Sequence, residues 1–212
     1  VGGGSTVIAP SYGAPFVQDM DGNRRYATLA DLNNLQKLNH LASNIHVAGG
    51  PIVEPVDVPV QHRHMHMTYS GLKLSDKPLI GNVTSRSRAL DTIDMMKIVF
   101  GAEFATNNTV TTSLINSNSP LVWDETMLDA LKVYAAHNQA VLVSPFSMAA
   151  ASTPASNVGT IGVVTAEALM AIAMAQVIRP GCPMLFGVPA MTVALNTGAP
   201  VHGSPDSAMV QF

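Results

Sequence analysis

Charged side chains make up only 12% of the 212 residues, against roughly 25% in an average soluble domain. So few cannot coat a free-standing surface at ordinary density. Much of that surface has to be hidden inside a layered fold or against another copy, and a homo-oligomer is the expectation. Positive charge is neither abundant nor clustered, with 11 Lys and Arg against 14 Asp and Glu and a net charge of −3. That removes the electrostatic footprint on which DNA and RNA binding depend, and no nucleic-acid partner is expected. Cys182 is the only cysteine, which excludes an internal disulfide and a thiolate zinc cluster. It lies in the apolar run CPMLFGVPA and reads as a buried structural thiol rather than a nucleophile. No apolar run reaches the roughly 18 residues that span a bilayer. The first residues, VGGGST, lack the basic-then-apolar order of a secretion signal. The expectation is a cytoplasmic protein with no membrane segment. Motifs are missing too. Neither VGGGST nor HVAGGP supplies the G-x-G-x-x-G turn of a doubly wound dinucleotide binder. The chain also carries no G-x-S-x-G elbow of a hydrolase and no His-Glu-x-x-His zinc motif.

What the chain has is apolar length. Hydrophobic residues make up 47% of it, enough for a sizeable core in one domain covering residues 1–212. Apolar segments at Asn44 to Gly50, Lys77 to Val83, Thr109 to Asn116, Gln139 to Phe146 and Cys182 to Pro189 read as strands. Their continuous rather than alternating hydrophobicity suits a parallel sheet covered on both faces. Thr6 to Val17, interrupted by Pro10, Gly13 and Pro15, reads as one more strand. Helical patterns fill the intervals. Thr28 with Asp31 forms a reciprocal cap, after which Leu32, Leu35, Leu38 and Leu41 recur. Leu90, Ile93, Met96 and Phe100 repeat after Ser87, and Asp124 caps a face of Met127, Leu128, Leu131, Tyr134 and Ala135. Val164 to Ile178 is apolar on nearly every side and asks for burial on more than one face.

One helix per strand, with right-handed crossovers, is the rhythm of a βα barrel or a doubly wound sheet, and the missing glycine fingerprint favours the barrel. A complete barrel needs eight units and about 250 residues. About six parallel strands are readable here, so the expectation is an α/β fold: a partial TIM (β/α) barrel, the central fragment of a longer protein. In a barrel, chemistry gathers in the loops after the carboxyl ends of strands. That singles out Glu54 after the first apolar run, Asn116 after the third, Phe146 after the fourth and Gly187 within the fifth. Tyr12, Phe16 and Trp123 also fall in presumed strand-end loops. An aromatic face beside a carboxylate is how proteins hold a quaternary ammonium group, because the ring quadrupole attracts a cation that has no N–H to donate. His62 and His66 in the run QHRHMHM would share one helix face, but with no third ligand nearby they read as polar surface, and no metal site is expected. No lysine sits within a strand run to form a Schiff base, since Lys77 opens its strand, and this disfavours a barrel aldolase.

Three stretches carry a resemblance. They are DMDGNRRYATLAD (Asp19 to Asp31), SDKPLIGN (Ser75 to Asn82), and the region from Ser144 through AEALMAIAMAQVIRPGCP to NTGAPVHGSPD. In order and spacing they resemble the trimethylamine methyltransferase superfamily, which includes pyrrolysine-containing trimethylamine enzymes and pyrrolysine-free glycine betaine enzymes. The resemblance implies a TIM-type barrel that passes a methyl group from a methylated amine to the Co(I) corrinoid (cobalamin) of a separate partner protein, with no cofactor bound directly. Taken with the strand-end positions read above, this makes Glu54, Asn116, Trp123, Phe146 and Gly187 the expected substrate-binding residues of the barrel mouth, with His202 and Asp206 as later contributors; the resemblance licenses the barrel more firmly than these roles, and no catalytic residue is identified. Two departures stand out. The family's G-A-T-A-P-V-T-like turn is replaced by Ala149 to Ser156, and Asp206 stands where the family has Glu. The pyrrolysine position of one branch is expected beyond Phe212, so the substrate branch is not readable from that feature. The alternative is a quaternary-amine binding module, or a truncated barrel without activity.

Overall fold

The computed structural model describes residues 4, 6–189, 191–194, 196–201 and 203–211. In chain order the elements are β1 (Phe16–Gln18), β2 (Arg24–Tyr26), α1 (Leu29–Leu41), α2 (Val60–Leu74), β3 (Leu79–Gly81), α3 (Arg86–Phe100), α4 (Ala102–Asn107), β4 (Thr111–Ile115), α5 (Glu125–Ala136), β5 (Ala140–Val143), β6 (Met148–Ala149), α6 (Asn157–Ile178), β7 (Met184–Phe186), β8 (Met191–Val193), β9 (Pro200–Val201) and α7 (Pro205–Gln211). Four of the apolar runs expected to be strands supply the main sheet, in the order β3-β4-β5-β7. Order in space thus follows order in the chain, with at least one helix in every crossover. β5 and β7 pair in parallel, with Val141, Leu142 and Val143 opposite Met184, Leu185 and Phe186. A doubly wound sheet reverses direction at a switch point, and these four strands contain no such reversal. Among the described residues the sheet is open at its ends and no closed barrel forms.

Contacts divide the chain into two compact units, residues 1–82 with 87–112, and residues 83–86 with 113–212. In the first unit, α1 starts as expected. The Thr28 hydroxyl accepts from the Asp31 amide, and the Asp31 carboxylate accepts from the Thr28 amide. Asp31 also takes a two-point contact from the Arg25 guanidinium at 2.6 and 2.8 Å. The leucine periodicity, however, misleads. Steps of three residues drift by about 60° each on a helix of 3.6 residues per turn, so Leu41 ends on the side opposite Leu32. Leu32 is fully buried while Leu38 and Leu41 are 63% and 76% exposed. The face that is buried instead carries Leu32, Gln36 and Asn39. Asn39 Nδ2 donates to the carbonyls of Val47 and Ala48, whereas neither polar atom of the buried Gln36 side chain finds a partner among the described residues.

The segment read as a first strand, Asn44 to Gly50, pairs only locally. Ala48 donates to Pro78 and Ile80 to the Gly49 carbonyl, with a parallel bridge between Gly49 and Leu79. Gly49 at φ +77 ends it: this left-handed backbone suits glycine, and a Cβ there would stand 2.8 Å from Pro10. Thr6 to Val17 likewise forms no long strand. It runs beside residues 46–54 through bonds from His46 to Ile8, Gly13 to Pro51 and Glu54 to Ala14, before β1 pairs antiparallel with β2. Lys77 stands at the start of its strand run and donates to the carbonyls of Asn39 and Ala42, closing the C-terminal end of α1.

In the second unit the buried apolar residues include Ile115 of β4, Val141 and Val143 of β5, Leu131, Val133 and Tyr134 of α5, and Val164 and Ala168 of α6. Asp124 caps α5 by accepting from the Met127 amide, and Ser156 caps α6 by accepting from Gly159. The cap at Ser156 starts α6 well before Val164. Although no unbroken apolar run of that length exists, α6 as a 22-residue helix is long and apolar enough to cross a bilayer by length and composition. Its single charged residue, Glu167, is directed inward and is 1% exposed. Cys182 is a free, buried thiol lying against the Gln139 carbonyl, and burial pushes its pKa up.

Candidate functional site

In the second unit the expected strand-end positions fall at one end of neighbouring parallel strands. Asn116 follows β4 directly, and its amide donates to the Ser144 carbonyl just past β5 at 2.7 Å. Gly187 follows β7 and donates to the Val143 carbonyl. Phe146 bridges to Asn118 and leaves its ring half exposed. Trp123 sits half buried in the loop leading to α5, its indole N–H buried without a partner among the described residues. Asp206 is exposed in the first turn of α7, and His202 lies outside the described residues.

The residue that organises this end of the sheet was not foreseen. Glu167, on α6, reaches the loop after β4 with both carboxylate oxygens. Oε2 accepts from the Ser117 hydroxyl at 2.5 Å and the Ser119 hydroxyl at 2.8 Å, and Oε1 accepts from the Leu121 amide at 2.6 Å. Ser117 is fully buried. A carboxylate can satisfy three donors here because it only accepts and offers about four lone-pair positions. Leu121 has φ +58, a left-handed backbone in which a side chain costs about 1–2 kcal/mol, and its bond to Glu167 opposes that strain. The available signal was compositional: Glu167 is the one acidic residue in an otherwise uncharged helix.

Glu54 belongs to the first unit. Its amide donates to Ala14, where residues 13–14 run alongside 51–54, and its half-buried carboxylate takes no hydrogen bond or ion pair among the described residues. Tyr12 lies beside it, with the ring edge against Gly50 so closely that any Cβ there would collide with it. Desolvation, followed by repulsion from the Glu54 carboxylate, pushes the Tyr12 phenol up to about 12. The residue is still 42% exposed, so desolvation acts on the covered flank while the other flank stays open to a ligand. The pair therefore combines an accessible aromatic ring with an uncommitted negative charge.

Other hollows of this unit offer less. A cleft of about 460 Å³ includes Phe16, Asp19, Arg25 and Asp31, but each is already engaged. Arg24 lies 3.9 Å over the Phe16 ring, which stacks on Tyr26 at 4.6 Å. Asp31 holds Arg25, and Asp19 holds Asn23. A wider cleft of about 850 Å³ is lined by Lys77, Pro78 and Thr109 to Thr112, together with Phe100 and Phe104. It lies where β3 and β4 begin, the end opposite to the one that carries chemistry in βα folds. His62 and His66 are exposed on α2, and no three His, Cys, Asp or Glu residues group as a metal site among the described residues.

The whole chain, residues 1–212, matches the family model described as trimethylamine methyltransferase (MTTB). It is 40% identical over 210 residues to a glycine betaine methyltransferase of Desulfitobacterium hafniense (strain Y51), an alignment covering 99% of this chain and 44% of that protein. It is 26% identical over 147 residues to a proline betaine:corrinoid methyltransferase of Eubacterium limosum, covering 66% of this chain and 30% of that one. The chain thus spans less than half the length of these curated relatives. With the family pattern matched from end to end, and two-fifths of the residues shared with one of its betaine members, this chain belongs to the trimethylamine methyltransferase family.

Proposed function

We propose that the protein takes part in transferring a methyl group from a quaternary amine, a betaine in the first instance, to the Co(I) corrinoid of a separate partner protein. The observation that carries the substrate class is the pairing of Tyr12 with Glu54 beside Gly50. A trimethylammonium group cannot donate a hydrogen bond, so an aromatic surface and an uncommitted carboxylate are what its binding requires. The names of the two relatives support a betaine, and the second of those names supports the corrinoid. In this reading the partner's corrinoid supplies the nucleophile that takes the methyl carbon while a neutral amine leaves. This chain's own residues have the task of holding the cation with one methyl facing outward. The family resemblance and the unreversed strand order support a partial (β/α) barrel as the scaffold. Asn116, Trp123, Phe146 and Gly187 are proposed as strand-end contributors, with His202 and Asp206 as further candidates.

Calorimetry with glycine betaine, proline betaine and trimethylamine, followed by transfer of a labelled methyl group to a reduced corrinoid protein, tests this reading. Glu54→Gln should weaken betaine binding about tenfold, the scale of one partly exposed cation contact. Unchanged affinity for every amine tested would remove Glu54 from the site. A binding-only role is a second reading, favoured because the Tyr12–Glu54 pair supplies groups that hold a cation and none that carries out a chemical step. Betaine binding without methyl transfer would select it.

A further inference from the structure

α6 carries a surface that nothing in its own unit covers. Val158 and Val177, near its two ends, are 81% and 85% exposed, and Leu169 between them is 59% exposed. Gly162, Ala166 and Ala173 are exposed on the same side. These six residues follow one another at steps of 4, 4, 3, 4 and 4, the spacing that keeps a row on one face of a helix. The row is close to a palindrome about the midpoint between Glu167 and Ala168. Turned end for end, it sets Val158 against Val177, Gly162 against Ala173, and Ala166 against Leu169. A small residue thus meets a small or a large one at every inner level, as a two-fold, self-complementary contact requires. No charged side chain lies on this face, since the only one on the helix, Glu167, bonds inward to the loop after β4. A self-pair therefore brings no like charges together.

Gly162 adds a packing argument within the row. A Cβ built there meets nothing within 4 Å, so this chain's own packing does not require glycine. Yet glycine inside a helix costs about 1 kcal/mol relative to alanine. Close approach by a second backbone gives that glycine a purpose. We propose that α6 is a docking surface for a second copy of this chain, packed antiparallel on the α6 of its partner about a two-fold axis. The exposed apolar area of the face is on the order of 500 Å² per copy, or about 1,000 Å² for the pair, the lower bound of specific interfaces.

The test is sedimentation of the purified protein over about 1–100 µM, for the native sequence and for Gly162→Leu and Leu169→Glu. Both variants should fold normally, because one side chain enters open space and the other replaces an exposed residue. Circular dichroism and melting check this. The expected result is a native species of twice the mass of one polypeptide, with dimer association weakened at least about 100-fold in each variant. The double variant Val158→Cys/Val177→Cys should give a reducible cross-linked dimer that Val158→Cys alone does not give. A monomeric native protein overturns the proposal, and a Leu169→Cys thiol that stays unreactive in such a monomer would show the face covered by another part of the same polypeptide. Dimers that persist in both variants place the contact elsewhere and overturn it equally. Flotation of monomeric native protein with phosphatidylcholine–phosphatidylglycerol vesicles, lost in Leu169→Glu, would assign the face to a lipid surface instead.

Discussion

Replacing Glu167 by alanine removes three hydrogen bonds at once and leaves the hydroxyl of the fully buried Ser117 without its partner. Bonds to a charged acceptor contribute about 1.5–3 kcal/mol each, and an orphaned buried polar group costs about 1–3 kcal/mol. Against this, the variant no longer buries a carboxylate, which recovers part of the loss. A net destabilisation of about 3–4 kcal/mol is expected, or a fall of about 6–16 °C in melting temperature for a chain of this size. Glu167→Gln separates acceptor capacity from shape. Its amide oxygen can still receive the Leu121 N–H, while its NH2 group can only donate to the serine oxygens, so about 1–2 kcal/mol should be lost. Hydrogen exchange at the Leu121 amide is the local readout, with protection reduced in the glutamine variant and abolished in the alanine variant. If Glu167→Ala melts within about 2 °C of the native protein, or if the Leu121 amide exchanges unchanged, the carboxylate does not hold that loop and the reasoning fails.

Four further outcomes follow from the first unit. Tyr12, whose phenol lies up to about 12, should ionise later than an ordinary tyrosine near 10. A raised phenol favours the folded state below the unfolded value and loses that contribution as pH climbs from about 10 through the folded value, so absorbance titration of Glu54→Gln should show Tyr12 ionising earlier. Gly50→Ala should displace the Tyr12 ring at a folding cost of roughly 1 kcal/mol or less, and should weaken betaine binding as much as Glu54→Gln does in calorimetry. Thr28→Ala should cost about 1 kcal/mol in denaturant unfolding through loss of the helix cap. The Arg25 guanidinium and the Thr28 donors hold the Asp31 carboxyl well below the usual carboxylate range. That contribution is present above an ordinary aspartate pKa near 3.9 and is lost as pH falls below it, so Asp31→Asn should flatten the acid limb of the stability profile.

What could be read from residues alone was local. Thr28 with Asp31 forms its reciprocal cap because both partners lie within one turn, and Asp124 caps α5 for the same reason. The apolar runs that became β3, β4, β5 and β7 were visible because strands covered on both faces need no alternation. The row of leucines in α1 misled because steps of three drift around the helix, and tertiary packing gave the inner face to Gln36 and Asn39. Asn44 to Gly50 read as a strand from its hydrophobicity, but Gly49 takes a left-handed turn against Pro10 that no periodicity announces. Of the site, Glu54 and the aromatic Tyr12 were both noticed, while their pairing across residues 12–54 depended on how the first segment lies along the second. Glu167 was hidden by distance, since its partners lie about fifty positions earlier in the chain.

The grip of Glu167 on Ser117, Ser119 and Leu121 has a mechanical corollary. A sliding step of one residue along a helix axis is about 1.5 Å, more than bonds of 2.5–2.8 Å can absorb without breaking. The long helix therefore has only one longitudinal setting compatible with an intact anchor, and its inner charge acts as a ratchet pin. Whatever leans on its outer flank must respect that setting or unseat the rim of the sheet.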